Sequence, residues 1–484
     1  MCAAGCTMPS PPIPASPRPG PTGSTAVPDT DVAVIGGGPA GVAAALSLRE
    51  AGLAVTLVDP GRGPVPRIES LAANGIALAR SCGMAGALDA AGLGRAAAMH
   101  LHWRGRPETR PFAADGPLLL DRSRFHAALR RLLPPASLRA ARVTAIADGG
   151  EHVLLATSTG AMAARFVIDA RGRAGLKARP QGTPVMAALA FGGRGAPPSG
   201  QPAMLLEALA EGWLWAALLP HGEVNGALFL PAARLAGGTA ATRARCLADH
   251  LRPSALGLPA ALRAGPVSAS MLVAVADPFL SPRVLRVGDA ALANDPLASH
   301  GIVHALRSGV QAAAAAATLL DPAGDAGAAR SFIRDRHRMA ASSARDATRR
   351  SLADQARFAT GFWSAMASAE AAGSPAPPPW PALTRPLALA PLVRSAVLEH
   401  GRIAWADALW LPRSAQAVPR LGPFPAGALA RLLSPPAAVT VLSERLARIA
   451  GEGQAQAILR LLLEEGALGN AAPAQPGVTA GSNA

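Results

Sequence analysis

Three glycines near the start of the chain have the spacing of a phosphate-binding turn. Gly36, Gly38 and Gly41 satisfy G-x-G-x-x-G, with Pro39 and Ala40 completing the turn. The first glycine permits a tight bend, the second lets the backbone approach a pyrophosphate, and the third lets helix and strand pack closely. The positive end of the following helix would face the phosphates, so this spacing predicts a phosphate site.

The elements around this turn are those that the motif requires. An apolar run, 31–35, predicts a strand before it, and a helical pattern follows to about residue 51. A second predicted strand, 54–58, ends at Asp59, 18 residues after Gly41, where a carboxylate can accept hydrogen bonds from ribose hydroxyls. Strand, turn, helix and acid together predict dinucleotide binding, which the glycines alone would not.

The rest of the chain leaves this domain and returns to it. Short apolar runs separated by turn residues from about 183 to 230 predict antiparallel strands, and an apolar run at 284–287 leads back into Gly288 and Asp289. The expected fold is α/β, with a Rossmann-like dinucleotide-binding domain interleaved with an antiparallel-sheet substrate domain, plus a mainly helical C-terminal domain. The expected boundaries are 1–29 disordered lead-in, 30–182 and 276–330 dinucleotide-binding domain, 183–275 antiparallel-sheet substrate domain, 331–372 helical extension, 373–384 linker, 385–468 helical C-terminal domain and 469–484 disordered tail.

The amino-acid composition disfavours a nucleic-acid partner, a membrane span and a metal site. The 484 residues carry a formal charge of +15, almost entirely from arginine, because Lys177 is the only lysine. The arginines are scattered and no nucleic-acid motif is present, so we expect no nucleic-acid partner; docking of an acidic protein is the alternative. No apolar run reaches the roughly 20 residues of a membrane span. Four cysteines without a C-x-x-C pair predict no metal site and a reducing, cytoplasmic setting.

A downstream segment carries the most specific signal. Residues 288–302, GDAALANDPLASHGI, resemble the G-D-A-A and D-P-L-x-S-x-G-I segments of the para-hydroxybenzoate-hydroxylase-like FAD monooxygenases. The resemblance implies that Asp289, after Gly288, binds the ribityl chain and that Pro296 packs near the isoalloxazine ring. It also implies that the helix starting near Gly301 and Ile302 directs backbone N–H groups at the flavin, where they would stabilise negative charge.

Two more segments match the same superfamily, so that the resemblance covers about residues 31–320. Arg122 opens a predicted helix, 121–133, where many of these enzymes place an arginine facing the flavin phosphate and ribityl chain; Arg124 is the weaker candidate. Asp169 begins a D-A-R-G turn that resembles the D-A-x-G turn closing the nucleotide domain. A basic surface helix and an ordinary strand-end turn are the alternatives.

Within the superfamily, one branch is most similar. The segments 69–71 (ESL), 121–125 (DRSRF) and 295–302 (DPLASHGI) resemble flavin-dependent halogenases and the flavoproteins that oxygenate a protein tryptophan during quinone-cofactor maturation. Halogenases carry W-x-W-x-I-P and a catalytic lysine. Here GWLWAALLP (212–220) lacks the I-P in register, and Lys177 lies away from the expected position. Halogenation is therefore disfavoured.

Three side chains are candidates for the substrate site. Trp213 and Trp215 are two apart, so on a strand they share one face and either wall the substrate cavity or pack in the sheet core. His300, in the loop expected to touch the isoalloxazine, is a candidate acid/base; the alternative is a hydrogen bond to the flavin or loop. His304 lies one helical turn on, where structural packing is favoured.

The predicted function is an FAD-dependent monooxygenase that activates dioxygen and oxygenates an aromatic substrate, with a tryptophan of a peptide or protein as one candidate. A small-molecule aromatic hydroxylase, a flavin reductase-like dehydrogenase and, less favoured, a halogenase are alternatives. A flavin-binding maturation or docking factor is the non-enzymatic alternative. No second G-x-G-x-x-G follows a strand and opens a helix, so NAD(P)H would bind in a less marked groove, or a partner reductase would supply electrons.

Overall fold

A computed structural model describes residues 28–63, 66–176, 186–195, 200–252, 254, 258, 262–270, 273–298, 300–370, 386–414 and 416–470. The expected linker lies outside these residues, as do Lys177, Ser299, and nearly all of the expected lead-in and tail. Across the described ranges, no helix is long and apolar enough to cross a membrane.

The secondary structure of these ranges is mixed. The helices are α1 (Pro39–Glu50), α2 (Ala73–Ser81), α3 (Ala85–Ala91), α4 (Arg122–Arg130), α5 (Ala240–Leu251), α6 (Gly301–Leu320), α7 (Ala326–Ala353), α8 (Gly361–Glu370), α9 (Ala426–Leu432), α10 (Val439–Ala450) and α11 (Glu452–Glu465). The strands are β1 (Thr30–Ile35), β2 (Val55–Val58), β3 (Ile68–Leu71), β4 (Gly92–Arg95), β5 (Ala98–His102), β6 (Glu108–Pro111), β7 (Leu118–Asp121), β8 (Leu138–Arg139), β9 (Val143–Asp148), β10 (Val153–Thr157), β11 (Gly160–Asp169), β12 (Met186–Arg194), β13 (Ala203–Leu209), β14 (Gly212–Leu218), β15 (Glu223–Pro231), β16 (Arg263–Ser270), β17 (Ala274–Val275), β18 (Phe279–Ser281), β19 (Val284–Arg286), β20 (Leu292–Ala293), β21 (Leu387–Leu389), β22 (Val393–Glu399), β23 (Arg402–Leu411), β24 (Gln416–Val418), β25 (Arg420–Leu421), β26 (Phe424–Pro425) and β27 (Leu468–Asn470).

A parallel sheet forms the centre of the molecule. Its order is β18-β19-β11-β1-β2-β8, and β19, β11, β1, β2 and β8 run parallel. Strand β1 is almost entirely buried because α1 and α6 cover one face and the β9–β10–β11 meander covers the other. The predicted Rossmann-like core is confirmed, including the return of the chain through β19.

The antiparallel sheet has the order β16-β12-β15-β14-β13-β5-β6. The predicted strands between 183 and 275 are present, but β5 and β6 join them, although residues 98–111 were assigned to the dinucleotide-binding domain. This correction arises because β5 pairs in parallel with β13, a long-range pairing that sequence order does not reveal. All other pairs in the sheet are antiparallel.

Two local expectations also change. The residue pattern of 69–84 predicts a helix, but Glu69–Leu71 belongs to β3, which pairs with β7, and helix α2 begins only at Ala73. The C-terminal region is helical in α9, α10 and α11, but it begins with β21, β22 and β23. Its core packs leucines of these helices against Leu409 and Leu411 of β23.

Candidate functional site

The glycine-rich turn brings three backbone segments into close contact. Gly36 has φ of 109°, and a Cβ added there would lie 2.5 Å from the carbonyl oxygen of Ala170, in the D-A-R-G turn. A Cβ at Gly41 would collide with the carbonyl oxygen of Gly36. The turn therefore requires glycine at both positions, and it lies directly beside the end of β11.

Helix α1 begins with free backbone donors at this turn. Gly38 is its N-cap, Pro39 is its first residue, and no side chain of the described residues caps the helix. The first turn also carries no acid, so its N–H groups and positive dipole end are available to an anion. Asp59 accepts hydrogen bonds from the Gly37 N–H at 2.7 Å and the Gly61 N–H at 2.8 Å, beside Arg130.

The downstream segment meets the same turn. Gly288 has φ of 55°, and a Cβ there would lie 3.1 Å from that of Ala40. A Cβ at Gly309 of α6 would collide with the Ala40 carbonyl oxygen, so α6 and α1 pack at backbone distance. The Gly288 N–H donates to the Ser308 hydroxyl at 2.9 Å, which fixes the G-D turn against α6.

An arginine arm lies across from these turns. Arg122, at the start of α4, pairs with Glu69 of β3 and donates from Nε to His126 Nε2 at 2.7 Å. Burial raises the pKa of Glu69, but the Arg122 and Arg67 guanidinium groups outweigh it and lower that pKa to about 2. Burial, assisted by Arg122, lowers the pKa of His126 to about 3. At neutral pH the arm is therefore an ion pair supported by a neutral imidazole.

Charges from distant parts of the chain converge on Asp289. Its side chain is partly exposed beside Arg173, at 3.6 Å, and burial raises its pKa while Arg173 and Arg122 oppose that shift. Asp169 differs, because it is fully buried and both of its oxygens accept hydrogen bonds from the Arg171 side chain, at 2.9 and 2.7 Å. Asp169 therefore fixes the D-A-R-G turn rather than offering a free carboxylate.

An aromatic cluster covers one face of the antiparallel sheet. Trp213 is 1% exposed and stacks on Phe229 at 5.1 Å between ring centroids, while Trp215, half-buried, lies on the same face. The two tryptophans therefore share a face, as predicted. Leu297, from the 3₁₀ turn Pro296–Ala298, belongs to the same cluster. The loop between Asp289 and α6 therefore borders the aromatic cluster that includes the two tryptophans.

Residues of helices α7 and α8 complete the aromatic cluster. Trp103 and Trp363 pack edge to face at 5.5 Å, and their indole N–H groups donate to the carbonyls of Ser351 and Leu209, both at 2.8 Å. Phe362 packs edge to face against Trp363 at 5.1 Å. Residues from after β5, from β14 and β15, and from α8 therefore build one buried aromatic cluster.

The two histidines at the start of α6 differ in exposure. His300 is the exposed N-cap residue, and partial burial of its ring together with Arg307 and Arg350 lowers its pKa. His304 is half-buried, its Nε2 has no partner within the described ranges, and burial lowers its pKa to about 4, with His337 nearby. His304 therefore stays neutral at physiological pH, consistent with packing.

Comparisons with known proteins agree with this architecture. A family model described as lycopene cyclase protein matches residues 31–193. No curated protein matches the chain. The solved structure of QhpG, a peptidyl tryptophan dihydroxylase essential for tryptophylquinone cofactor biogenesis, is 28% identical, covers 90% of this chain and 99% of its own, and superposes with a TM-score of 0.69.

Two further solved structures share the fold. The flavin-dependent halogenase CmlS is 18% identical, with 91% of this chain and 95% of its own covered and a TM-score of 0.71. The 2,6-dihydroxypyridine-3-hydroxylase from Arthrobacter nicotinovorans is 18% identical, covering 66% and 91%, with a TM-score of 0.51. The chain has the fold of these enzymes.

The residues at these turns fit an FAD molecule, because they provide space and backbone N–H donors there. Only glycine fits at Gly36 and Gly41, and Gly38 faces His126, whose Cε1 would be 3.4 Å from an added Cβ. The uncapped start of α1 suits a pyrophosphate, and the uncapped start of α6, which also lacks an acid among its described first-turn residues, suits an electron-rich ring edge.

Most residues that the resemblance assigns to the cofactor lie close together in the structure. Gly36, Gly38, Gly41, Asp59, Arg122, Gly288 and Asp289 belong to one region, and their contacts with a cofactor stay a prediction. His126 and Ser308 were missed, although His126 lies four residues after Arg122 on a predicted helix, a spacing that pairs side chains. Trp103 and Trp363 had no signal, because nothing in the sequence places them beside Trp213.

Proposed function

We propose that the enzyme is an FAD-dependent monooxygenase that oxygenates an aromatic substrate. The observation that carries the proposal is that Leu297, in the loop expected to border the flavin, packs against the aromatic cluster that includes Trp213 and Trp215. A planar, apolar substrate would lie between these surfaces. Aromatic side chains can stack on such a substrate, and apolar walls exclude water.

The cofactor would lie along the turns described above. In this proposal the α1 start binds the pyrophosphate, Asp59 the ribose, and Asp289 the ribityl chain, with Arg122 positioned by Glu69 and His126. Bound FAD supplies the redox chemistry and the activation of dioxygen. The start of α6 at Gly301 and Ile302 would stabilise negative charge on the bound flavin, and Pro296 would border its ring.

His300 is the proposed acid/base residue. It lies at the junction between the loop and α6, and it is exposed, so that it can exchange protons with solvent. Partial burial, together with Arg307 and Arg350, lowers its pKa, which favours a neutral imidazole able to accept a proton. Its role is separable from cofactor binding, because replacing an exposed N-cap side chain leaves the phosphate turn unchanged.

The proposed substrate is a tryptophan side chain in a peptide or protein. Support comes from the 28% identity to a peptidyl tryptophan dihydroxylase over 99% of that chain. A free aromatic small molecule is the second candidate, supported by the enclosed aromatic surface. We place the enzyme in the cytoplasm, with NAD(P)H or a partner reductase as electron source.

The test is an oxygenation assay with purified, FAD-loaded protein. Photochemically reduced enzyme is mixed with dioxygen and either a tryptophan peptide or free phenols, and the products are analysed by mass spectrometry. We expect oxygen-atom addition at tryptophan, and loss of this product in His300→Ala with FAD absorbance retained. Colourless protein that stays apo after incubation with FAD, or oxidation of neither substrate, contradicts the proposal. A halide-dependent product would instead identify a halogenase.

A further inference from the structure

Helices α6 and α7 carry an excess of positive charge. Helix α7 contains seven arginines against two aspartates, and α6 contains Arg307 and no acid. Both aspartates are already engaged within the helix, Asp335 with Arg338 and Asp346 with Arg349. The remaining positive charge of the two helices therefore has no acid on either helix to neutralise it.

Three of the remaining arginines are exposed and unpaired. Arg307, Arg345 and Arg350 face solvent, and none makes an ion pair or hydrogen bond with any residue that the structure describes. By contrast, Arg330 and Arg334, at the other end of α7, stack on Phe279 at 5.2 and 5.5 Å. We call Arg307, Arg345 and Arg350 the arginine rim.

The arginine rim borders the proposed substrate site. Helix α7 contacts the 3₁₀ turn Pro296–Ala298, and Leu352, two residues after Arg350, packs in the same aromatic cluster as Leu297 and Trp213. Helices α6 and α7 are consecutive and pack against each other, and the C-terminal part of α7, which follows Arg345 and Arg350, meets the loop that precedes α6. The arginine rim therefore lies toward the end of the α6–α7 pair that borders this loop, and the electrostatic effect of Arg307 and Arg350 on His300 agrees with that placement.

We propose that the arginine rim binds an acidic segment of a protein substrate and so brings a neighbouring aromatic side chain to the aromatic face. This inference rests on the proposed function. Charge complementarity favours a carboxylate-rich chain, because three unpaired guanidinium groups attract carboxylates without costing an existing ion pair. A nucleic acid would also carry negative charge, but the rim is adjacent to an enclosed aromatic site rather than to a basic groove.

The experiment compares peptide binding to two triple variants of the FAD-loaded protein. The probe is a synthetic peptide with one central tryptophan flanked by aspartates and glutamates. Arg307→Glu, Arg345→Glu and Arg350→Glu together should weaken binding about tenfold or more, since each exposed charge contributes a few tenths to 1 kcal/mol. The matched control combines Arg142→Glu, Arg431→Glu and Arg448→Glu, which changes net charge equally at exposed arginines elsewhere and should stay within about twofold.

Two further probes separate this inference from the proposed function. A peptide with the same tryptophan and uncharged flanks should bind both triple variants alike and should still be oxygenated if the proposed function is right. Equal weakening of the acidic peptide by rim and control variants would overturn the rim proposal. So would tighter binding of single-stranded DNA than of the acidic peptide, with the same dependence on the rim.

Discussion

Arg122 illustrates how a single cationic side chain is prepared for an anionic ligand. Glu69 forms an ion pair with its guanidinium group, and the His126 imidazole accepts a hydrogen bond from its Nε–H. Because the pKa of Glu69 is about 2 and that of His126 about 3, neither partner changes charge between pH 5 and 9. The arm keeps one geometry over the range in which an enzyme works.

Replacing Glu69 should therefore weaken binding of the cofactor without destabilising the fold. We expect Glu69→Gln to raise the FAD dissociation constant about tenfold, since a charged hydrogen bond contributes about 1.5–3 kcal/mol. Quenching of flavin fluorescence during titration measures it. Glu108→Gln, at an exposed pair with Arg110, serves as the control. An unchanged dissociation constant for Glu69→Gln would show that Arg122 does not depend on this carboxylate.

His304 gives a pH-dependent prediction. Its pKa in the fold, about 4, is below its ordinary value of 6.5. As pH falls from 7 to 5 the unfolded chain binds a proton at this position and the folded chain does not, so stability is lost. His304→Leu should reduce that loss by about 1–2 kcal/mol in denaturant titrations at the two pH values. His221→Leu, at an exposed position, should leave the loss unchanged, and equal behaviour of the two variants would contradict the prediction.

At the scale of elements, the contact between α1 and α6 depends on the absence of a side chain. A Cβ at Gly309 would collide with the Ala40 carbonyl in the phosphate turn. We expect Gly309→Ala to destabilise the protein by about 1–3 kcal/mol and to reduce FAD retention, because overpacking moves the helices apart. Thermal unfolding with and without FAD measures both effects.

Gly453→Ala is the matched control, since a Cβ there in α11 would meet nothing within 4 Å. Alanine is a better helix former than glycine, so this variant should be neutral or slightly more stable. If both variants unfold at the same temperature, the close approach of α6 to α1 is not required.

The two tryptophans of β14 should have different roles. Trp213 should stabilise the fold, and Trp215 should contact the substrate. Trp213 is buried against Phe229, so Trp213→Leu should lower the free energy of unfolding by a few kcal/mol. Trp215 is only half-buried, so Trp215→Leu should raise KM for an aromatic substrate with a smaller loss of stability. Steady-state kinetics and denaturant titrations on both variants measure this, and the reverse pattern would exchange their roles.

Local elements were easier to predict than their partners. The strand, turn and helix of residues 30–50 follow from hydrophobic pattern and glycine spacing, which act between neighbours in sequence. The strand at residues 68–71 was read as helix because Glu69 and Ser70 have no strong strand preference, and pairing with β7 decides their conformation. Strands β22 and β23 lie in the region predicted to be mainly helical, because their pairing with each other decides their conformation.

At the scale of the whole molecule, the C-terminal region is packed onto the dinucleotide-binding core. The Ile403 N–H donates to the buried Thr318 hydroxyl of α6 at 3.1 Å, and Ile403 and Ala396 belong to the same hydrophobic core as α1 and α6. Strands β22 and β23 therefore cover a face of α6 and α7 that would otherwise be exposed.

Shortening the Ile403 side chain should lower the free energy of unfolding. We expect Ile403→Ala to destabilise the protein by about 2–5 kcal/mol, the range for a large-to-small change in a core. Ile449→Ala, at a side chain that is 61% exposed, should change stability by less than about 0.5 kcal/mol. Urea unfolding compares them, and a negligible effect of Ile403→Ala would mean that the C-terminal region packs only loosely.

The return of the chain through β19 also has a consequence for synthesis on the ribosome. Strand β11 leaves its edge for β19 open until residue 284, and α6 reaches its glycine at 309, long after the phosphate turn at 36–41 has emerged. At about 5–20 residues per second, the nascent chain exists for on the order of tens of seconds with only the first part of its nucleotide-binding site synthesised. Cofactor capture must then wait for the second half of translation, and a nascent chain that stalls before α6 would emerge without its flavin.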